Sequence, residues 1–166
     1  GGSQFGSVAV ASNGTIWVTG VYWGEIEWGN DFEISDGGSI DGFVATMSSS
    51  GTWYWGNSMH GISDYDSVHG IVLDSNDDAY VVGSFSDHVY FDNTSYNIQN
   101  GQDGFISKVN KTNGTYEWVE IIGGAQDDNA TAIAMDSNGQ LFVTGYYSGN
   151  INFGLTTLAN SGYYCV

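Results

Sequence analysis

The chain is 166 residues long and carries 19 acidic side chains against two basic ones, for a formal charge of −17. Two lysines, Lys108 and Lys111, cannot displace the counterions of a phosphate backbone or hold an anionic bilayer surface, which argues against nucleic acid and acidic lipid as partners. No apolar run reaches the roughly 18 residues of a spanning helix, so no membrane insertion is expected, and one cysteine, Cys165, allows no internal disulfide.

From the N-terminal end, the first predicted strand pair lies in residues 8–20, VAVASNGTIWVTG. Trp17-Val18-Thr19 is β-branched and aromatic and suits a pleated surface, while Ser12-Asn13-Gly14-Thr15 supplies the positive φ and local acceptors of a tight hairpin. Trp28 follows Gly20 by 8 residues, Asp41-Gly42-Phe43-Val44 marks a third strand, and Gly51-Thr52-Trp53-Tyr54-Trp55 opens a fourth. The series then recurs. Residues 71–83 read IVLDSNDDAYVVG, followed by Phe91, Asp103-Gly104-Phe105-Ile106 and Gly114-Thr115-Tyr116-Glu117-Trp118. Residues 133–145 read IAMDSNGQLFVTG, followed by Phe153 and a degraded Ser161-Gly162-Tyr163-Tyr164. Gly20, Gly83 and Gly145 stand 63 and 62 residues apart, which makes the chain a repeat array.

In the second unit the spacing predicts strands over 71–74, 79–85, 104–109 and 115–122. No window shows apolar spacing at three and four, so no helix is predicted. An all-β chain with four antiparallel strands per unit is the signature of β-propeller blades. The expected arrangement is one array over 1–166, with blades at about 8–61 and 70–124 and an incomplete one at about 131–166, giving 11 strands in all.

The run Gly70 to Asn76, Ala79 to Gly83, Asp103 to Lys108, Glu117-Trp118 and Gly123-Gly124 resembles the SBBP-type β-propeller repeat. That resemblance covers almost the whole chain and implies a secreted or cell-surface protein of bacteria or archaea, with no shared catalytic residues. Ala11 departs from the Asp74 and Asp136 of the other units, and Ser161 replaces the aspartate of the Asp-Gly-Phe motif. A propeller closes with roughly four to eight blades, and an open arc exposes a sheet face and an edge strand. The expected partners are therefore further blades of the same chain or identical subunits.

Candidate sites are few. Sequons occur at Asn13 and Asn113, read as hairpin turns, at Asn110, read as just before one, and at Asn93 and Asn129, read as connections, where a glycan could be accommodated. Asp74, Asn76 and Asp78 copy the first three ligands of a calcium loop but lack its glycine and distal glutamate, so a turn is preferred over calcium and no cofactor is expected. Asp64-Tyr65-Asp66 and Asp127-Asp128 occupy matching connections, read as carboxylate ties to amides of the next blade. His60, His69 and His88 have no repeat equivalents and no nucleophile or metal spacing, so the chain is expected not to be an enzyme. Trp55, Trp118 and the position Trp17/Tyr80/Phe142 recur and read as inter-blade core, whereas Trp23 and Trp53 do not recur and could stack on sugar rings. Cys165 reads as a small buried residue on a strand, or alternatively as an intermolecular disulfide. Taken together, these features predict a non-enzymatic extracellular or cell-surface module, structural or adhesive. The alternative is a lectin-like propeller whose partners are glycans.

Overall fold

Turns and bulges set the strands. In the computed structural model, which describes residues 1–27, 33–61, 65–159 and 164–165, the turns 11–15, 74–78 and 136–140 share one backbone pattern. Ala11 N–H donates to the Thr15 carbonyl at 2.9 Å, Asp74 to Asp78 at 3.0 Å, and Asp136 to Gln140 at 3.0 Å. The left-handed position is filled by Gly14 (φ 83°), Asp77 (φ 64°) and Gly139 (φ 80°), residues that tolerate that conformation. Asp74 also accepts the Asn76 and Asp78 amides at 2.8 and 3.0 Å, as Asp136 accepts those of Asn138 and Gln140 at 2.9 and 2.8 Å. Those amides hold the Asp136 carboxyl below its ordinary range.

The first unit is formed by β1 (Gly2–Val10), β2 (Ile16–Glu27), β3 (Glu33–Met47) and β4 (Trp53–Gly61). The second is β5 (Ser67–Leu73), β6 (Ala79–Phe91), β7 (Thr94–Val109) and β8 (Tyr116–Gly124). The third comprises β9 (Asn129–Met135), β10 (Leu141–Tyr147), β11 (Ile151–Phe153), β12 (Thr156–Leu158) and β13 (Tyr164–Cys165). All the ladders are antiparallel and the described residues contain no helix, so the all-β expectation holds.

The repeated glycine has a steric cause. In each unit the first strand bulges by one residue, at Gly6, His69 and Thr131, opposite Gly20, Gly83 and Gly145. A Cβ on those glycines would overlap the carbonyl oxygens of Gln4, Ser67 and Asn129 respectively. Glycine recurs there because the bulged strand lies too close for any side chain.

Strands β6 and β7 outrun the predicted 79–85 and 104–109. A residue in the left-handed region interrupts the ladder at Gly24 (φ 70°), Asp87 (φ 58°) and Gly149 (φ 73°), one in each unit. Pairing then resumes as a short arm: Glu25 to Glu27 on Ser35 to Glu33, His88 to Phe91 on Asn97 to Thr94, and β11 on β12. The arm of the second unit pairs with the end of β4, Met59 with Phe91, His60 with Tyr90 and Gly61 with Val89. That of the third pairs with the end of β8, Ile122 with Phe153 through Gly124 with Ile151. The units are thus stitched along one hydrogen-bonded path, β1-β2-β3-β4-β6-β7-β8-β11-β12 with β5 on β6, while β9, β10 and β13 of the third form a separate three-stranded sheet.

The largest core cluster lies between units one and two and joins Trp17, Val44 and Met59 to Val68, Val81, Phe85, Val89, Phe91, Phe105 and Val109. On the other face of β6, Val82 packs with Ile106 and Ala130, against half-buried Ile133, Leu141 and Val143 of unit three. Adjacent Val81 and Val82 are both buried because the second unit is covered on two faces, which removes the usual alternation.

Candidate functional site

The space between units one and two is closed by Phe105 and Val109 from β7 and Tyr116 from β8. The Phe91 ring lies edge-on to Phe105 and Tyr116, each with centroids 5.0 Å away. Trp55, on β4, stands edge-on to Trp17 at 5.1 Å and donates from Nε1 to the Lys111 carbonyl at 3.3 Å. Gly114 (φ 77°) completes that cover, since a Cβ there would overlap the Trp55 indole.

Between units two and three the corresponding space is an open apolar cleft of about 780 Å³. Ile122 and Trp118 of β8, Phe142 and Tyr146 of β10 and Phe153 of β11 line it, and Glu120 and Asn129 add polar groups. Strand β10 pairs with β9 along one side, but β13 meets it only at Tyr146 and Tyr147. Among the described residues, Leu141 to Gly145 therefore have no ladder partner on the cleft side. Their counterparts Ala79 to Gly83 are paired with Val109 to Phe105. An apolar wall beside an open strand edge can accept a further strand by backbone hydrogen bonding and side-chain burial.

Two pairs of buried aspartates sit where one unit hands over to the next. Asp41 accepts the Gly61 amide at 3.2 Å and Asp66 the Ser86 amide at 3.0 Å; one unit later Asp128 accepts the Ser148 amide at 2.9 Å. The backbone holds each pair together, with the Asp66 amide donating to the Ile40 carbonyl at 2.8 Å and that of Asp128 to Gln102 at 2.6 Å. All four residues are 4% exposed or less. Burial, and then the charge of Asp128, push the Asp103 carboxyl up to about 7 against the pull of the Gly124 amide. Burial also raises Asp128, while the Ser148 and Gly124 amides act in the other direction.

The residues singled out in the sequence do not converge. Asp78 pairs with Lys108 at 3.1 Å and with Lys111 at 3.7 Å, and the Asn76 carbonyl accepts from Lys111, so both lysines of the chain occupy the calcium-like turn. Asn13, Asn93 and Asn113 are exposed in turns. Asn110 is half-buried and donates to Glu117 at 3.1 Å. Asn129 lies in β9 and not in a connection, and its Nδ2 donates to Ser84 at 3.0 Å and Gln102 at 3.2 Å, bonds that a glycan would displace. Trp23 is 46% exposed, whereas Trp53 packs half-buried against Val18, Tyr22, Phe43 and Ala45. Trp23 stands opposite Ile40, midway along β3, and Trp53 opposite Met47 at its end, roughly 23 Å away along that strand at about 3.3 Å per residue, so they form no common platform. Trp28 and Asp64 fall outside the described residues, as do Ser161 to Tyr163, while Cys165 belongs to β13.

His69 reaches Ser67 Oγ at 2.6 Å and the Ala130 carbonyl at 3.1 Å, but Ser67 is wholly buried and also bonded to Ser84 at 3.2 Å. That chain ties units two and three and offers no exposed nucleophile. Two sequence assignments are corrected. Trp118 and Phe142 were expected in the core, yet they are 41% and 56% exposed, because the described residues place no covering strand over them. The cleft itself was not anticipated, since recurrence identifies an equivalent position but not whether a neighbour covers it. No protein-family model matches the chain, and no curated protein matches it in sequence.

Proposed function

We propose that the three units are consecutive blades of an incomplete β-propeller. In this proposal the chain is a non-enzymatic structural or adhesive module of an extracellular or cell-surface repeat protein, of the SBBP type its repeat resembles. The cleft beside β10 is the surface through which the array continues, receiving a strand pair of the same kind from a further blade or another subunit. The supporting observation is the pair of junctions: what Phe105, Val109 and Tyr116 cover at the first is left open, with the same repeat residues around it, at the second. Light scattering over a wide dilution range tests the assembly, with Trp118→Asp and Phe153→Asp expected to abolish any concentration-dependent size. A particle that stays monomeric at every concentration would remove self-assembly.

A second reading is carbohydrate binding. It is favoured by the exposed rings of Trp118 and Phe153 beside Glu120 and Asn129, a combination suited to stacking on a sugar while bonding its hydroxyls. Glycan-array binding lost in Trp118→Ala would support it; binding lost only in Trp23→Ala or Trp53→Ala would move the site away from the cleft, and a blank array would eliminate it.

A further inference from the structure

The buried aspartates at the second junction have an accounting problem that the surrounding residues do not solve. Asp103 and Asp128 are 4% and 1% exposed, and Asp103 Oδ1 and Asp128 Oδ2 are buried without a hydrogen-bond partner. Backbone geometry forces the pair together, because the Asp128 amide donates to the carbonyl of Gln102, the residue before Asp103. Gly123 has no room for a side chain because the Asp103 carboxyl fills that space. No cation relieves them. Both lysines are committed to the turn at Asp78, and the further charge that acts on Asp128, that of Asp127, is of the same sign. On the β5 side the neighbouring titratable group is His69, which bonds the Ala130 carbonyl. Two ionised carboxylates at such a place would each lack solvation and would repel one another.

We infer that Asp103 and Asp128 share one proton, a carboxylic acid facing a carboxylate, and that this proton fastens the third unit to the second. The proton gives one otherwise unpartnered oxygen a donor and the other an acceptor, and it removes one of the two buried charges. Asp128 meanwhile keeps the Ser148 amide at the β10–β11 corner, so the pair clamps the point at which β11 joins β8. At the first junction the Asp66 carboxyl lies beside Gly61, whose amide donates to Asp41.

The direction with pH follows from linkage. The Asp103 carboxyl binds its proton more tightly in the folded chain, at about 7, than its ordinary value of 3.8. Its contribution is therefore complete below about pH 4 and is lost as pH rises towards 7, with opening of the junction increasing by at most roughly tenfold per pH unit in that window. Acid tightens this junction and neutral pH loosens it.

The experiment is a carbon-13 titration of the aspartate carboxyls in the unaltered chain, combined with amide exchange at Ser148 and Ile151 corrected for intrinsic base catalysis. Asp103 is expected to titrate near neutrality, with exchange at the junction rising in step while β2–β3 amides of the first unit stay protected. Asp103→Asn, which is permanently neutral, should abolish the step and keep Ser148 protected above pH 7. A carboxyl titrating in the ordinary range would overturn the inference, as would an exchange step that survives Asp103→Asn. Should that variant fail to fold, the carboxyl titration of the unaltered chain still decides. Calcium chloride is added as a separate probe, and a saturable shift of these two carboxyl signals would show a metal in place of the proton.

Discussion

Phe91 and Phe153 occupy the same position in successive units, yet one is 1% and the other 45% exposed. Both close an arm of the same kind, and both arms pair with the end of the preceding fourth strand in the same register. The difference lies entirely in what covers them. Phe91 is enclosed by the rings of Phe85, Tyr96, Phe105 and Tyr116, whereas Phe153 lines an open cleft. Strands, turns and bulges are therefore properties of a unit, but the largest hydrophobic cluster is a property of a junction. It forms where the second unit's third and fourth strands lie across the first, while smaller clusters pack within unit one and between β6 and the β9–β10 pair, as expected for a repeat that cannot bury all of its apolar surface alone.

The comparison is broken most directly at those two rings. Phe91→Ala should cost about 3–5 kcal/mol, the range for emptying a packed aromatic site, and Phe153→Ala less than about 1 kcal/mol. Urea unfolding of both variants measures the contrast. Equal losses would mean that the second cleft is covered in solution and that the two junctions are alike.

The glycine pair sharpens the same point from the opposite side. Gly83→Ala and Gly145→Ala each drive a methyl group into a carbonyl of their own unit's first strand, Ser67 and Asn129. Both should lose about 1–3 kcal/mol, the usual cost of forcing added volume into a filled site, with Gly83→Ala at the upper end because its methyl group would also meet the Phe105 ring. The clash with the bulged strand is common to both. Thermal unfolding of the two variants checks this, and a harmless Gly145→Ala would show that the third unit does not keep its bulge.

What the sequence disclosed divides along the same line. The turns at 74–78 and 136–140 and the strands beside them were readable because Asp-Ser-Asn, glycine and β-branched residues act locally. The arms were missed because their hinge in the second unit is Asp87 and their turn begins at Asp92, both non-glycine residues at positive φ, flanking a run of only Val89-Tyr90-Phe91. The ties at Asp66 and Asp128 were visible as matched acids in matching connections. That each of them faces an aspartate of the Asp-Gly-Phe strand was not, because 25 residues separate the members of each pair and only tertiary structure joins them. Trp118 was assigned to the core for the same kind of reason: its twin Trp55 is covered by the next unit's loop, and no local signal reports whether a neighbour covers an equivalent position.

That loop offers the smallest and most local test. Lys111 donates from Nζ to the Asn76 carbonyl and lies 3.7 Å from Asp78, while its own carbonyl receives the Trp55 indole N–H at 3.3 Å. The Lys111 side chain is 47% exposed, so solvent and salt screen its charge and Lys111→Met should cost less than about 1 kcal/mol. Its local effect should be clearer than its energetic one. If the lysine holds loop 110–114 over Trp55, fluorine NMR of fluorotryptophan-labelled protein should show the Trp55 resonance moving towards the solvent-exposed position of Trp118, and added salt should move the unaltered chain the same way. If the resonance stays where it is, the loop is held by its own bonds, Asn110 N–H to the Thr115 carbonyl at 2.8 Å and Gly114 to Asn110 at 2.9 Å. The cover over a junction would then be built into the fourth-strand turn itself, and the charge pair would be a surface addition to it.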